Sequence, residues 1–180
     1  MYYGEIKDCD IANGAGVRVT LFVSGCTNKC PGCFQPQTWA FDYGKPYTDE
    51  TEAQILKMLE PSYIQGLTLL GGDPFEPRNQ ETVLGLARKV KALYPDKNIW
   101  CYTGFTYEEL KTDGSYPRTE CTDELLSCLD ILVDGRFVQA LKNISLSFRG
   151  SENQRIIDLN STRKEGIPVV LDLDRKRTGK

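Results

Sequence analysis

The stretch Ser24-Gly25-Cys26-Thr27-Asn28-Lys29-Cys30-Pro31-Gly32-Cys33-Phe34 places three of the chain's seven cysteines within eight residues, spaced C-x3-C-x2-C. It follows an apolar, β-branched run, Val17 to Val23, that reads as a strand. A loop leaving a strand can fold its thiolates toward a common centre. Thiolate is a soft ligand suited to iron–sulfur clusters, zinc and copper(I). A cubane 4Fe-4S cluster normally takes four cysteines. Three close thiolates therefore point to a site with one iron left open for something else. Two rival readings use the same residues. A structural zinc knot would draw a fourth thiolate from Cys9, Cys101, Cys121 or Cys128. A redox pair would use Cys30-Pro31-Gly32-Cys33 alone.

The chain contains no histidine. That removes Ser-His-Asp and Cys-His nucleophilic schemes, His-ligated zinc and the usual general base near neutral pH. Radical chemistry needs none of these. With 180 residues, one domain over 1–180 is expected. A net charge of −3 gives no electrostatic footprint for nucleic acid, and the basic Arg175-Lys176-Arg177 reads as a solvated tail. Met1 to Asp10 lacks the apolar core of a secretory leader, and no uncharged stretch suits a membrane span. A cytoplasmic location follows, with its cysteines reduced. The four cysteines outside the loop read as small buried hydrophobes.

Working outward, residues 1–12 carry no clear signal, and Asn13-Gly14-Ala15-Gly16 reads as a turn. Asp49-x-x-Glu52 predicts a capped helix to about Glu60. Gly66 to Leu70 predicts a buried strand ending at Gly71-Gly72-Asp73-Pro74. Asn79 is expected to cap a helix from Gln80 to Tyr94, with Val83, Leu86, Val90 and Leu93 on its core face. Asn98 to Tyr102 is the next strand. A helix capped by Thr106 and Glu109, another over 122–129, a strand from Asp130 to Val133 and a last strand from Ile167 to Leu173 complete the reading. Strands alternating with helices imply an α/β fold with a mainly parallel sheet, whose functional loops leave the C-terminal strand ends. Four such ends carry the cysteine loop, Gly71 to Pro74, Thr103-Gly104 and Asp134-Gly135, so they are expected to meet at one mouth. Gly71 and Gly72 allow close backbone approach to a small ligand, and exposed carbonyls with the Asp73 carboxylate suit an ammonium group.

The cysteine spacing after one strand and the GGDP turn after the next resemble the radical S-adenosylmethionine (SAM) superfamily. Asn13 to Arg18, Tyr63 to Thr68, Tyr102 to Thr106, Val133 to Arg136 and Arg149 to Arg155 are similar, in order, to the family of anaerobic ribonucleoside-triphosphate reductase activating proteins. Gly32 stands before the third cysteine, where the wider superfamily often has an aromatic. Phe34 follows instead, as in that subgroup. The loop from Lys111 to Glu120 and the tail after Asp158 are longer than the family leads one to expect.

The resemblance implies a partial, open (βα) barrel, with residues 159–180 as a C-terminal extension. It implies that Cys26, Cys30 and Cys33 ligate three irons of a 4Fe-4S cluster and that SAM chelates the fourth. Gly71, Gly72, Asp73 and Pro74 would hold the methionine moiety, with Gly32, Cys33 and Phe34 near the adenine. Thr103 and Asp134 sit where related activators bind a monovalent cation, although Tyr102 replaces an acidic residue there. One-electron cleavage of SAM would yield methionine and a 5′-deoxyadenosyl radical that takes hydrogen from a glycine of the reductase large subunit. Reduced flavodoxin or a similar protein would donate the electron. An activator of another glycyl radical enzyme, such as pyruvate formate-lyase, and a non-catalytic zinc or electron-carrier module are the alternatives.

Overall fold

The computed structural model describes residues 1–174 and begins with a strand that its own composition conceals. Tyr2–Asp10 (β1) mixes Gly4, Glu5, Lys7 and Asp8 with few apolar residues, and most of it is exposed. Its order comes from its neighbours. It pairs antiparallel with Val17–Val23 (β2), Ile6 opposite Leu21, and on its other side with the two-residue strand Lys45–Pro46 (β3). This strand replaces the signal-free residues 1–12 of the sequence reading. The turn between β1 and β2 needs Gly14 and Gly16 at φ +129° and +79°. Fully buried Arg18 clamps that turn: Nη1 donates to the Ala15 carbonyl at 3.1 Å, Nε to Thr68 Oγ1 at 2.6 Å and Nη2 to the Leu67 carbonyl at 2.7 Å.

Helix Asp49–Leu59 (α1) is capped by Thr48, whose Oγ1 accepts from Thr51 N, rather than by Asp49. Strand Ile64–Gly71 (β4) leads through the glycine turn into Pro77–Leu93 (α2). Proline at the first helical position opens α2. Asn79 therefore lies inside the helix, and its amide donates to the carbonyls of Ser24 and Asp73, both at 3.0 Å. The expected cap is instead a tie between the cysteine loop and the GGDP turn. Strand Asn98–Tyr102 (β5) keeps its expected bounds. Helix Tyr107–Lys111 (α3) carries the full Thr106–Glu109 capping box, and Thr122–Cys128 (α4) packs on α2.

Strand Ile131–Asp134 (β6) is followed by Arg155–Asp158 (β7), helix Leu159–Glu165 (α5) and the two-residue strand Val169–Val170 (β8). The last strand is thus shorter than Ile167 to Leu173, and β7 and α5 are additional. The basic run Arg175-Lys176-Arg177 lies outside the described residues.

The sheet order is β3-β1-β2-β4-β5-β6-β7-β8, and the sheet does not close. Its centre, β2-β4-β5-β6, is parallel because α1, α2 and the α3–α4 pair carry the chain back between strands. Both flanks are antiparallel, four pairings against three parallel ones, which corrects the expectation of a mainly parallel sheet. Connection length accounts for two of the four: β1–β2 and β7–β8 are joined too briefly for a crossover. Alternate strand residues face opposite ways. Leu67, Leu69, Ile99 and Leu132 pack with helix residues Ile55, Val83, Leu86 and Leu125 in the main core. Trp100, Val133 and Ile156 form a smaller cluster with Tyr102 and Phe148.

Candidate iron–sulfur and cofactor site

β2 ends against two other segments, and those bonds shape the cysteine loop. Gly25 N donates to the Thr38 carbonyl at 2.8 Å and Cys26 N to the Trp39 carbonyl at 3.2 Å, beside the 3-10 turn Pro36–Trp39. Gly25 has φ +100°, and a Cβ there would stand 2.2 Å from the Phe41 ring. From β4, Gly72 N reaches the Val23 carbonyl at 2.7 Å and Asp73 N the Gly25 carbonyl at 2.8 Å. A Cβ on Gly72 would meet Gly25 O at 2.5 Å, so only glycine lets the two backbones approach this closely.

Two buried carboxylates hold the loop from below. Glu76 accepts from Thr27 N at 2.6 Å, Thr27 Oγ1 at 2.7 Å and the Tyr116 hydroxyl at 2.8 Å. The long Lys111–Glu120 loop is thereby anchored to the cysteine loop. Asp73 accepts from Phe75 N at 2.9 Å, Thr103 Oγ1 at 2.8 Å, Gly104 N at 2.8 Å and Asn28 Nδ2 at 3.1 Å. Burial pushes its carboxyl up to about 7, while the bonds from Gly104, Phe75 and Thr103 pull the other way.

The four strand ends do meet. Cys26, Cys30 and Cys33, then Gly71 to Asp73, Thr103-Gly104 and Gly135 line one cavity of about 520 Å³. Phe34, 69% exposed, joins them, its ring 5.5 Å from that of Phe137. Three expected site residues stand back from this wall. Pro74 is buried behind the turn. Gly32 is exposed at φ +76°, where a Cβ would strike the Gln139 side chain.

Asp134 is fully buried and already claimed. Arg155 donates to it from Nε at 2.9 Å and Nη2 at 2.5 Å, Tyr107 N adds a third bond at 2.7 Å, and the same guanidinium grips Glu108. Thr103 Oγ1 donates to Asp73 and accepts from Phe105 N at 3.1 Å, so the side chains of both expected cation ligands are engaged within the fold. Arg155→Gln is expected to lower stability by about 3 kcal/mol, because it strands a buried carboxylate. The figure is at the lower end because Arg155 is itself about a third exposed. Urea titration checks it, and a loss below about 1 kcal/mol would mean that Asp134 is solvated rather than paired.

The thiols suit a soft metal. Burial, with Asp73 adding to it, pushes the Cys26 thiol up to about 12, and burial raises Cys30 as well. Such thiols give up their protons to a metal far more readily than to water. Cys101 is buried in β5, Cys121 precedes and Cys128 ends α4, both half-buried against the core, and none of them lines the cavity. Cys9, expected to be buried, is exposed on β1. Among the described residues, no three His, Cys, Asp or Glu side chains converge where a single ion would sit. Cys26, Cys30 and Cys33 all line the cavity, and thiols of this kind suit an iron–sulfur cluster or another soft metal.

Residues 12–157 match the family described as a 4Fe-4S single cluster domain. The chain is 45% identical over 158 residues to the anaerobic ribonucleoside-triphosphate reductase-activating protein of Pasteurella multocida, covering 87% of this chain and 96% of that one. It is 42% identical over 156 residues to the proteins of that name from phage T4 and Escherichia coli K12, covering 93% and 96% of their lengths. The chain belongs to the anaerobic ribonucleoside-triphosphate reductase-activating protein family. For a member of this family, the three-cysteine loop beside a glycine turn is the feature that sequence spacing made visible. Asn28, Glu76 and Tyr102 gave no comparable signal, since each acts through a tertiary partner or the cavity alone. Arg149, Gly150 and Gln154, from the Arg149–Arg155 segment that resembles the family, also line the cavity.

Proposed function

We propose that this protein activates an anaerobic ribonucleoside-triphosphate reductase by generating a glycyl radical on its large subunit. The observation that carries the reading is the convergence of Cys26, Cys30, Cys33 and the Gly71-Gly72-Asp73 turn on one cavity, in a chain of the activating family. Cys26, Cys30 and Cys33 would hold a 4Fe-4S cluster. When bound, it would supply one electron to the sulfonium of SAM, splitting it into methionine and a 5′-deoxyadenosyl radical.

The remaining work belongs to the polypeptide. The close backbone approach at Gly71 and Gly72 presents carbonyls to the amino group of the methionine moiety. Asp73, with four donors already in place, holds that turn against the cysteine loop more than it reaches the ligand. Phe34 and Phe137 offer an aromatic face to adenine. The apolar lining of Phe22, Leu70 and Phe148 limits water around a reactive radical.

An open sheet suits a reaction whose substrate is a polypeptide loop, and this reading takes the fold as the partial barrel of the radical SAM type, one domain with residues 159–180 as an extension. It places the protein in the cytoplasm, with reduced flavodoxin or a similar protein as donor. No described helix is long and apolar enough to cross a membrane. A monovalent cation is not part of the reading, given the engagement of Thr103 and Asp134.

Anaerobic reconstitution with iron and sulfide, followed by reduction and addition of SAM, tests it. A brown protein that releases 5′-deoxyadenosine, and that raises a glycyl signal in electron paramagnetic resonance with the reductase, supports the reading. A colourless protein holding one tight zinc ends it.

A further inference from the structure

Among the described residues, two buried side-chain polar atoms have no hydrogen-bond partner: the Tyr102 hydroxyl and Arg149 Nε. Both residues line the cavity. They belong to one wall, because Tyr102 and Phe148 share the small cluster on Trp100 and Arg149 follows Phe148. The Trp100 and Phe148 rings meet edge-on at 5.3 Å. Phe148 has φ +56°, a left-handed conformation that costs a residue with a side chain. Native proteins pair almost all buried polar groups, so two orphans and a strained residue on one cavity wall mark a place where a ligand completes the bonding.

The chemistry of the two atoms narrows that ligand. A guanidinium nitrogen can only donate. Burial raises the pKa of Tyr102, which keeps the hydroxyl protonated and able to donate. The charge of Arg149 is already answered. Its Nη2 pairs with the Asp174 carboxylate, which also accepts from Ser147 N at 2.8 Å. What remains in this wall is an unpaired hydroxyl and an unpaired guanidinium N–H whose charge Asp174 compensates, both beside aromatic rings and with no net charge to attract an anion. Such a wall suits a neutral carbonyl oxygen, and an extended polypeptide presents these at regular intervals.

We propose that Tyr102 and Arg149 bind backbone carbonyls of the substrate polypeptide and so set which of its residues faces the radical. This rests on the function proposed above. It also gives the tail a role: Asp174 lies beyond residues 12–157, the part shared with the family, and it positions Arg149 and neutralises it.

The test uses the cluster-loaded protein under anaerobic conditions, with Tyr102→Phe and Arg149→Lys compared with wild type. Each variant is titrated with the anaerobic reductase large subunit and, separately, with SAM. Each substitution is expected to weaken binding of the large subunit roughly five- to tenfold, as the loss of one hydrogen bond does. SAM affinity should stay within about twofold of wild type. Weakened SAM binding with unchanged reductase binding would overturn the proposal and assign the donors to the methionine carboxylate. No change in either would show that neither atom meets a ligand and overturn it too. Thermal melting supplies an independent reading. Tyr102→Phe removes an unpartnered hydroxyl, so its Tm should equal or exceed that of wild type. A fall of several degrees would show that the hydroxyl is bonded within the protein and end the proposal. If wild type neither binds the large subunit nor raises a glycyl radical, the functional reading fails. Wild-type binding with unaltered variants defeats the donor assignment alone.

Discussion

Cys30→Ala is expected to give a folded protein with iron near background and no detectable release of 5′-deoxyadenosine. The thiol is half-buried and carries little of the core, so truncation should cost no more than about 1 kcal/mol. Its loss leaves two loop thiolates where a cubane already has fewer than the usual four. No other cysteine lines the cavity to replace it. Cys128→Ala is the control. It removes a side chain packed on α4 against the main core, at a similar cost in stability, and should retain full iron. Iron and sulfide assays after anaerobic reconstitution, with a urea titration of each variant, separate the two. Iron loss in the Cys128→Ala variant would show that the three-cysteine assignment is wrong.

Asp73→Ala should be the most damaging single change outside the cysteines, because one carboxylate joins three segments. Phe75 N, Gly104 N, Thr103 Oγ1 and Asn28 Nδ2 all lose their acceptor inside the fold. Each buried donor left unmet costs about 1–3 kcal/mol, and some will find water. A total loss on the order of 4 kcal/mol follows, a large share of a typical domain's stability. Release of Asn28 also frees the cysteine loop, so iron retention should fall together with stability.

Asp73→Asn keeps the size but turns an NH₂ toward donors, and should lie between wild type and alanine. It also isolates a pH effect. The folded carboxyl sits near 7, above its ordinary 3.8, so between those values the native state binds the extra proton. This stabilisation is present below about pH 4 and is lost as pH rises through about 7. Metal-free wild type should lose stability across that window, and the Asp73→Asn variant should lack that component. Urea titrations at pH 5 and pH 8 decide it, and identical slopes for the two proteins would remove the titration from Asp73.

Where a residue's fate depends on near neighbours in the chain, it was legible without coordinates. The β-branched run Val17–Val23, the apolar run into Gly71 and the strand Asn98–Tyr102 gave the parallel centre. Val83, Leu86 and Val90 gave the buried face of α2, and Thr106 with Glu109 gave a capping box that forms in full. Parallel strands deliver their C-terminal loops to one edge, so the shared cavity followed from element order. The cysteine spacing supplied its chemistry.

What lay hidden depends on partners far along the chain. β1 has almost no amphipathic pattern and is a strand because β2 and β3 flank it. Asp134 looked like a free carboxylate at a strand end until Arg155, 21 residues later, was found to take it. Asp73 looked like a ligand, and its side chain is bound by residues from three segments. The orphaned hydroxyl of Tyr102 and Nε of Arg149 are visible only as bonds not made, which no local pattern records. By itself the sequence determined the sheet's parallel centre, the main helices on it and the three-cysteine loop at its edge, because short-range periodicity and spacing encode them. Only the tertiary structure decided which polar groups are spent on scaffold and which are left unpaired beside the cavity, because hydrogen bonding is settled by contacts between distant segments.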